Sequence, residues 1–437
     1  MTGQTVAVAD HVRVGLLGCG NVGAALARLV DEHADLITAR AGARVEITRV
    51  AVRDLTKPRE LKLPASAFTD DPASVVADPD VDVVVEVMGG VDPARALIET
   101  ALRAGKPVVT ANKELIARDG PELLRIAAAS GVDLLFEASV AGGIPLMRPL
   151  RESLAGDRIR RVLGIVNGTT NFILTRMTED GTTFADALAE AQRLGYAEAD
   201  PTADVEGFDA AAKAAIIATI AFGAPVGPGD VYREGITQVT ADDITSARTL
   251  GYVVKLLAVA EEVGGDVAVR VHPAMVPAQH PLASVRDSFN AVFIEADAVG
   301  ELMLYGRGAG GNPTASAVMG DLVDASRNLV AGARGATIGE LVAKPIRPMS
   351  EAESPFYIMV EAADRPGVLA AIATTFGTHG VSIKSMEQRG IGADARLVFI
   401  THRAREADLT ATLDALRDVD VVTRVGSVIR VVGEEDS

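Results

Sequence analysis

The densest group of reactive side chains in this 437-residue sequence lies between Glu198 and Lys213. The carboxylates that precede the lysine are Glu198, Asp200, Asp204, Glu206 and Asp209. Asp209 and Lys213 are four residues apart, which places both on one face of a helix. Crowded carboxylates repel one another unless they bind a cationic group, such as a substrate ammonium. The cluster therefore predicts a substrate site, and its alternative is an i,i+4 salt bridge without a ligand.

A glycine motif near the N-terminus predicts a nucleotide site. Gly18-Cys19-Gly20-Asn21-Val22-Gly23 follows the predicted strand Val12–Leu17 and opens the predicted helix Val22–Val30. In this context the glycines allow a tight turn and let the backbone approach a pyrophosphate. The predicted cofactor contacts are Gly18, Gly20, Asn21, Val22 and Gly23. Cys19 is expected to be a small side chain under the pyrophosphate and not a nucleophile; the alternative is a glycine turn without a ligand.

The residue after the second strand selects between NAD and NADP. Enzymes specific for NAD place an acidic residue there for the ribose 2′-hydroxyl, whereas an arginine accommodates a 2′-phosphate. Arg53 directly follows the predicted strand Val45–Val52, with Asp54 next and Lys57 close behind. We therefore expect NADPH as the cofactor, with NADH tolerated because of Asp54. The alternative is a solvated surface arginine.

Two more segments belong to the predicted ligand-binding side of the sheet. Lys113 follows the predicted strand Pro107–Thr110, and ligands bind at the carboxyl ends of parallel strands. It is therefore a candidate site residue, although most lysines lie on the surface. A second glycine loop, with Gly310 and Gly311, precedes the predicted helix Ala315–Leu329. This loop either closes over the cofactor or is a simple turn.

Strands and helices alternate over about residues 12–140, and these elements position the nucleotide motif. Helices are also predicted at Pro93–Ala104 and Pro121–Ser130, and strands at Val81–Val87 and Val132–Ala138. The nearly continuous β-branched run at 81–87 is typical of a parallel strand buried on both faces. The predicted fold class is α/β, with an N-terminal Rossmann-type domain built on a doubly wound parallel sheet.

The rest of the chain predicts two further domains. Residues 141–350 indicate an α+β substrate-binding and dimerisation domain with an antiparallel sheet; helices are predicted at Phe184–Leu194, Ala210–Phe222 and Ala247–Val263, and strands at Arg161–Val166, Val267–Pro273 and Ala291–Asp297. Pro345, Pro348 and Pro355 mark a linker. Beyond it the pattern is βαββαβ, a ferredoxin-like unit. The predicted domains are residues 1–140, 141–350 and 355–432.

Composition argues against several classes of function. With 42 basic and 59 acidic residues the net charge is −17, so the chain lacks the basic surface of a nucleic-acid-binding protein. The single cysteine fits a reducing cytoplasm, and the six histidines lack zinc-ligand spacing. The longest uncharged run, Ala214–Gly229, falls short of the ~20 residues of a membrane-spanning helix. We expect a soluble cytoplasmic protein without nucleic-acid or membrane partners.

Together, the motifs resemble those of homoserine dehydrogenases with a C-terminal ACT domain. The matching segments are GLLGCGNVG, VVVEVMGG, KPVVTANKELIA, FEASVAGGIPL, GIVNGTTNFIL, LGYAEADPTADVEGFDAAAK, GRGAGGNPTASAV and DRPGVLA. They occur in order and cover essentially residues 12–432. The resemblance implies the NADPH-dependent, reversible reduction of L-aspartate 4-semialdehyde to L-homoserine, a step toward threonine, methionine and isoleucine.

The resemblance also implies roles for individual residues. Lys213 resembles the proton donor, while Glu198 and Asp209 resemble the groups that hold homoserine, supported by Asp204. Lys113 resembles the lysine that contacts both nicotinamide and substrate. Gly195 and Gly311 match positions near the cofactor.

Two more sites are implied in the same way. Glu137, with the main-chain carbonyls of Val140, Gly142 and Ile144, resembles the family's monovalent-cation site, where sodium is expected because oxygen ligands suit a hard cation. Asp364 to Gly367 resembles the first loop of ACT domains, which bind amino acids at domain interfaces. We expect L-threonine as the effector and a homodimer or homotetramer as the assembly. An ACT domain that serves only assembly is the alternative.

Other enzymes fit less well. Aspartate semialdehyde dehydrogenase uses a catalytic cysteine, and the single cysteine here lies in the predicted phosphate loop. A fused aspartate kinase is not expected, because no length remains for a kinase domain. A non-catalytic amino-acid sensor with a nucleotide-binding fold stays open as the alternative from another class, although Lys113, Glu198, Asp209 and Lys213 are all present.

Overall fold

The computed structural model describes residues 10–336, 338–389 and 396–433, without the side chain of Arg389. Two compact units divide the chain. The first consists of the described parts of Met1–Arg160, Ala215–Gly229 and Asn290–Ala343. The second consists of the described parts of Arg161–Ala214, Asp230–Phe289 and Lys344–Ser437.

The elements are numbered in chain order. The strands are β1 His11–Leu17, β2 Arg44–Ala51, β3 Phe68–Thr69, β4 Val83–Glu86, β5 Val108–Thr110, β6 Leu134–Leu135, β7 Ile159–Ile165, β8 Tyr232–Arg233, β9 Tyr252–Val263, β10 Asp266–Pro277, β11 Phe289–Ala296, β12 Gly300–Arg307, β13 Glu353–Ser354, β14 Phe356–Ala362, β15 Ile383–Arg389, β16 Arg396–Thr401, β17 Ala404–Arg405 and β18 Val422–Val431. The helices are α1 Asn21–Glu32, α2 Ala34–Ala41, α3 Pro72–Ala77, α4 Ala94–Arg103, α5 Lys113–Ser130, α6 Gly168–Glu179, α7 Phe184–Arg193, α8 Thr202–Val205, α9 Phe208–Phe222, α10 Ala241–Thr249, α11 Gly311–Val330, α12 Val368–Thr378 and α13 Glu406–Arg417.

The first unit is built on a parallel sheet in the order β3-β2-β1-β4-β5-β6. Its central strands are fully buried, as at Val14 and Val83, because helices cover both faces of such a sheet. The predicted Rossmann-type fold is therefore confirmed. The glycine motif lies between β1 and α1, where the turn after the first strand of a nucleotide-binding fold is expected.

Two helices of this unit, α5 and α11, begin before their predicted starts. α5 begins at Lys113, capped by Asn112, and not at Pro121, which lies in its interior. The proline was an expected helix start, since its missing N–H costs least there. α11 packs against the same core as β1 and α1, burying Ala315, Val318 and Leu322. A segment distant in the sequence thus completes the nucleotide-binding core.

The second unit contains a mixed sheet in the order β7-β9-β10-β18-β14-β16-β15, with β8 beside β10. The prediction of a helix over Ala247–Val263 is wrong: α10 ends at Thr249, and β9 follows Gly251. Each residue of β9 pairs with β10 in antiparallel register. A short apolar run suits a helix or a buried strand equally well, and the long partner strand decides the outcome.

Residues 356–431 form the predicted ferredoxin-like domain. The strands β14, β15, β16 and β18 alternate with α12 and α13 as βαββαβ, and the sheet order is β18-β14-β16-β15. Phe356, Phe376 and Phe399 are fully buried in its core. The ring centroids of Phe376 and Phe399 lie 5.2 Å apart.

The predicted linker is docked rather than free. Ile346 forms a parallel bridge with Val267 of β10, and β13 pairs with β17. Further along β10, Ala274 and Met275 pair with Arg430 and Val431 of β18. The ferredoxin-like domain therefore shares a sheet with the strand that precedes it. In the described part of the chain, no helix combines the length and apolar character needed to cross a membrane.

Candidate active site

The glycine loop in the first unit has the geometry of a phosphate cradle. Gly18 has a φ of +100°, and a Cβ there would lie 2.8 Å from the carbonyl oxygen of Val87. A Cβ on Gly23 would lie 2.2 Å from the carbonyl oxygen of Gly18, so only glycine permits this close approach. Gly20 precedes α1 and has open space around it. The N-terminus of α1 is thus accessible to an anion, which fits a nucleotide pyrophosphate.

The second glycine loop lies against the first. Gly310 has a φ of +122° and is the N-cap of α11. A Cβ on Gly311 would lie 3.2 Å from the carbonyl oxygen of Asn21, at the start of α1. The first turns of α1 and α11 therefore adjoin. Of the two interpretations given for Gly310 and Gly311, this placement supports a loop beside the cofactor.

Arg53 lies exposed two residues beyond the end of β2. The carboxylate of Asp54 accepts hydrogen bonds from the backbone N–H and hydroxyl of Thr56, at 2.8 and 2.6 Å. These bonds lower the pKa of Asp54. Asp54 therefore stabilises a local turn, which weakens the argument that it serves a ribose hydroxyl.

Arg59 is a residue that sequence analysis missed. Its guanidinium carbon lies 5.8 Å from the ring centroid of Phe68, and its charge lies close enough to Cys19 of the glycine loop to affect the thiol. Burial raises the pKa of the Cys19 thiol, while Arg59 and Arg28 oppose that shift. The raised pKa agrees with the prediction that Cys19 is not a nucleophile. No periodicity distinguishes Arg59 in sequence, since it lies in an irregular connection.

Lys113 is positioned by a buried network at the carboxyl ends of β4 and β5. The Glu86 carboxylate accepts the Thr110 hydroxyl at 2.6 Å and the backbone N–H of Met88 at 2.8 Å. The Thr110 hydroxyl accepts the backbone N–H of Asn112, whose side chain in turn caps α5 by accepting the N–H of Leu115. Lys113 is thus the first helical residue, at the edge where ligands bind.

Three of the predicted site residues, Asp204, Asp209 and Lys213, come together in the second unit. The Lys213 ammonium donates to Asp209 at 2.6 Å and to the carbonyl of Val166 at 2.7 Å. Its side chain is 12% exposed, and that of Asp209 is 6% exposed. A partly buried lysine between a carboxylate and a carbonyl is held at a defined position, as a proton donor must be.

Asn167, which sequence analysis did not single out, organises the acidic residues. Its side-chain oxygen accepts the backbone N–H of Thr170 and caps α6. Its side-chain nitrogen donates to Asp204 at 2.7 Å and to Asp209 at 2.9 Å. The amide therefore keeps two carboxylates close together despite their repulsion. Asn167 lies in the segment GIVNGTTNFIL, so a match to the family was the available signal.

Glu198 and Gly195 lie on the loop after α7. Glu198 is exposed, and its carboxylate forms no ion pair with any residue that the structure describes. Gly195 has a φ of +77° and ends α7 with its N–H on the carbonyl of Gln192. The hydroxyl of Thr169 donates to the carbonyl of Tyr196 and fixes this loop to α6. The structure thus accounts for Gly195 as a helix terminator.

Residues 137–148 form the turn predicted to bind a cation. The Glu137 carboxylate accepts the backbone N–H groups of Leu146, Met147 and Arg148. Ala141 and Gly142 both have left-handed backbones, with φ of 58° and 57°. Among the described residues, no backbone hydrogen bond between loops ends on the carbonyls of Val140, Gly142 or Ile144. Carbonyl oxygens of this kind fit a hard cation, whereas the Glu137 carboxylate shapes the turn.

A second carboxylate supports that turn. Asp321 of α11 accepts the backbone N–H of Glu137 at 2.8 Å and a guanidinium hydrogen bond from Arg148 at 3.0 Å. Burial, together with the charge of Glu137, raises the pKa of Asp321 to about 7. Within the described ranges, no cluster of three or more His, Cys, Asp or Glu side chains could hold a metal ion.

The predicted effector loop precedes α12. Gly367 has a φ of +91° and is the N-cap of that helix. Asp364 accepts a hydrogen bond from Gln388 at 3.2 Å. The loop therefore presents the N-terminus of α12, as predicted, and requires glycine at position 367 for its backbone conformation.

Comparisons with known proteins agree with this architecture. Residues 18–137 match the family model "Homoserine dehydrogenase, NAD binding domain", residues 145–323 match "Homoserine dehydrogenase", and residues 356–421 match "ACT domain". The homoserine dehydrogenase of Mycobacterium tuberculosis is 52% identical over 433 residues, with 97% of this chain and 98% of the relative covered. That of Corynebacterium glutamicum is 50% identical over 424 residues, with coverage of 96% and 95%.

Solved structures give the same result. The crystal structure of a homoserine dehydrogenase from Thiobacillus denitrificans is 42% identical, has a TM-score of 0.91, and is matched over 97% of this chain and 98% of its own. A hyperthermophilic archaeal homoserine dehydrogenase in complex with NADPH is 30% identical, has a TM-score of 0.62, and is matched over 72% of this chain and 98% of its own. The nucleotide-binding loop, the full-length relatives and the ACT domain together show that the chain belongs to the homoserine dehydrogenase family of nicotinamide-dependent oxidoreductases.

Proposed function

We propose that this enzyme catalyses the reversible, NADPH-dependent reduction of L-aspartate 4-semialdehyde to L-homoserine in the cytoplasm, toward threonine, methionine and isoleucine. The observation that carries the proposal is the placement of Lys213 between Asp209 and the carbonyl of Val166. Beside it, Asn167 holds Asp204 and Asp209 together. An ammonium donor and a group of carboxylates thus lie in one site, as this amino-acid substrate requires.

The residues divide the work between binding and proton transfer. Asp209, Asp204 and the exposed Glu198 bind the substrate ammonium. NADPH, when bound, supplies the hydride. Lys213 stabilises the negative charge that develops on the former aldehyde oxygen and delivers its proton there. Lys113 contacts nicotinamide and substrate from the carboxyl end of β5.

The NADPH preference rests on Arg53 and on the engagement of Asp54 with Thr56. Gly18, Gly20, Asn21, Val22 and Gly23 bind the pyrophosphate, with Gly310, Gly311 and Gly195 near the cofactor. A monovalent cation, sodium, is held by the carbonyls of Val140, Gly142 and Ile144 in the turn that Glu137 shapes. There it stiffens the chain without taking part in the chemistry.

The ACT domain supplies regulation. The loop from Asp364 to Gly367 offers the N-terminus of α12 to the carboxylate of an amino acid, for which we propose L-threonine as the inhibitor. Homologous domains that bind amino acids at domain interfaces suggest a homodimer or homotetramer as the working assembly.

Replacement of the proton donor tests the catalytic assignment. Lys213→Met should lower kcat for aldehyde reduction by ~10²-fold or more, because acid catalysis is lost. Binding of NADPH, measured by fluorescence titration, should change little. The control is Lys344→Met, since Lys344 is a partly buried lysine that pairs with Glu262 of β9. Near wild-type turnover in Lys213→Met would assign the role to Lys113.

A further inference from the structure

Arg430 links the ACT domain to Glu234, which directly follows β8. It lies on β18, and its side chain is 8% exposed. Its Nε donates to the carboxylate of Glu406, the first residue of α13. A terminal nitrogen of the same guanidinium lies 2.9 Å from Glu234, just beyond β8. One buried side chain thus joins an ACT helix to β8.

β8 and the turn after it contact residues 204–209, which we call the acidic segment. Arg233 donates to the carbonyl of Glu206 at 2.5 Å, and its guanidinium carbon lies 3.4 Å from the ring centroid of Phe208. The N–H of Ile236 donates to the carbonyl of Val205 at 2.8 Å. A Cβ on Gly235 would lie 2.3 Å from that same carbonyl oxygen. The acidic segment therefore cannot move independently of residues 233–236.

The same segment carries the substrate-binding carboxylates. Asp204 and Asp209 flank Val205 and Glu206 in sequence, and both bind Asn167. A displacement of Glu234 would therefore reach these carboxylates through the side chain of Arg233 and the backbone N–H of Ile236.

We propose that Arg430 is a positioning residue that makes the geometry of the substrate-ammonium site depend on the ACT domain. The proposal deepens the regulation described under Proposed function and rests on it. A shift of α13 on effector binding changes the pairing of Arg430 with Glu406. That change is transmitted to Glu234 and the acidic segment, so the effector alters the affinity for homoserine.

The surroundings of Arg430 allow a second arrangement of its side chain. A cavity of about 50 Å³ adjoins it, and its lining includes Glu261 and Glu353 together with Arg161, Arg270 and Arg403. His272, also on the lining, is 4% exposed, and its Nε2 has no hydrogen-bond partner among the described residues. Glu261 is paired with Arg270 at 2.6 Å, so a guanidinium that leaves Glu406 keeps Glu234 and has Glu353 as the further acidic residue beside the cavity.

The test uses the full-length enzyme and measures homoserine oxidation with NADP⁺. Glu234→Gln keeps the shape of the side chain and removes its charge. We expect a ~2- to 30-fold change in the KM for homoserine and in the L-threonine concentration for half-inhibition, the range found for residues that carry coupling. The value of kcat should change less, because Lys213 is untouched. Arg430→Lys keeps the positive charge but loses the guanidinium that contacts Glu234 and Glu406 together. It should change the KM for homoserine and the threonine response in the same direction, to a smaller extent.

Glu262→Gln is the matched control, because it makes the same substitution on β9 of the same sheet, where Glu262 pairs with Lys344. Its KM and threonine sensitivity should stay at the wild-type values. Wild-type KM and threonine response in Glu234→Gln, or equal shifts in Glu262→Gln, would overturn the role of Arg430. If threonine does not inhibit the wild-type enzyme, the proposed effector is wrong, and the KM for homoserine alone decides the role of Arg430.

Discussion

At the scale of single residues, we propose that Arg53 sets the preference for NADPH. It is exposed after β2, whereas the neighbouring Asp54 is engaged with Thr56. Arg53→Asp should raise the KM for NADPH ~10- to 100-fold more than the KM for NADH, because a charge-assisted hydrogen bond contributes ~1.5–3 kcal/mol. Steady-state kinetics with both cofactors measures the ratio.

The control for this substitution lies on the same strand. Arg44, at the start of β2, pairs with Glu46 at the opposite end from the glycine loop. Arg44→Asp makes the same change of charge and should leave the cofactor ratio unaltered. Equal increases in both Michaelis constants for Arg53→Asp would contradict the selectivity role and assign the residue to general cofactor binding.

Residue types and spacing predict the candidate reactive groups, whereas the residues that hold them in place by hydrogen bonds are visible only in the structure. The pairing of Asp209 with Lys213 follows from helical spacing and is observed at 2.6 Å. Asn167 binds Asp204 from 37 positions away, and no local pattern reports such a contact. Glu86, likewise, lies within the predicted strand Val81–Val87, and its hydrogen bond with Thr110 depends on the neighbouring strand.

At the scale of elements, local conformation limits what substitutions the chain accepts. Gly367 has a φ of +91°, and no atom of the described residues, its chain neighbours aside, lies within 4 Å of a Cβ placed there. Gly367→Ala should therefore lower the free energy of unfolding by ~1–2 kcal/mol through backbone strain and not through a clash. It should also weaken inhibition by threonine, since it displaces the N-terminus of α12. Thermal unfolding and inhibition assays measure the two effects.

Gly377 provides the comparison within the same helix. It is exposed near the end of α12, with open space around its Cα. Gly377→Ala should be neutral or stabilising, because alanine is the better helix former. If both variants lost the same stability, backbone strain at Gly367 would not be the cause.

Elements were predictable where the pattern was local. Alternating strands and glycine turns identified the nucleotide-binding sheet and the βαββαβ unit. The apolar run of β9 lies in a segment predicted to be a helix, because its length and spacing suit a helix and a strand alike. Its pairing with β10 along the whole length makes it a strand, and a local sequence pattern does not contain that pairing.

At the scale of the whole chain, β10 is covered along one edge by three separate segments. Ile346 bridges Val267, β8 pairs with Arg270 and Val271, and β18 pairs with Ala274 and Met275. These segments are far apart in sequence, and the prolines between 345 and 355 predict a linker. The shared sheet indicates instead that the ACT domain is part of the fold of the second unit.

A chain that ends at Glu353 should therefore be unstable. The truncation removes β18, exposing the edge of β10 at Ala274 and Met275, which are fully buried in the intact chain. It also leaves Glu234 without Arg430. An uncovered strand edge promotes aggregation. We expect a lower melting temperature and aggregates in size-exclusion chromatography, with little homoserine oxidation remaining.

Co-expression of residues 354–437 as a separate chain tests whether the missing β18 strand, and not a simple loss of regulation, causes the instability. The fragment supplies β18 without the covalent link, so it should restore solubility and activity in part. A truncated enzyme that is monodisperse by itself, with a wild-type KM for homoserine, would show that β10 does not need β18. It would also argue against transmission through Arg430, because the acidic segment would then hold its geometry without any ACT contact.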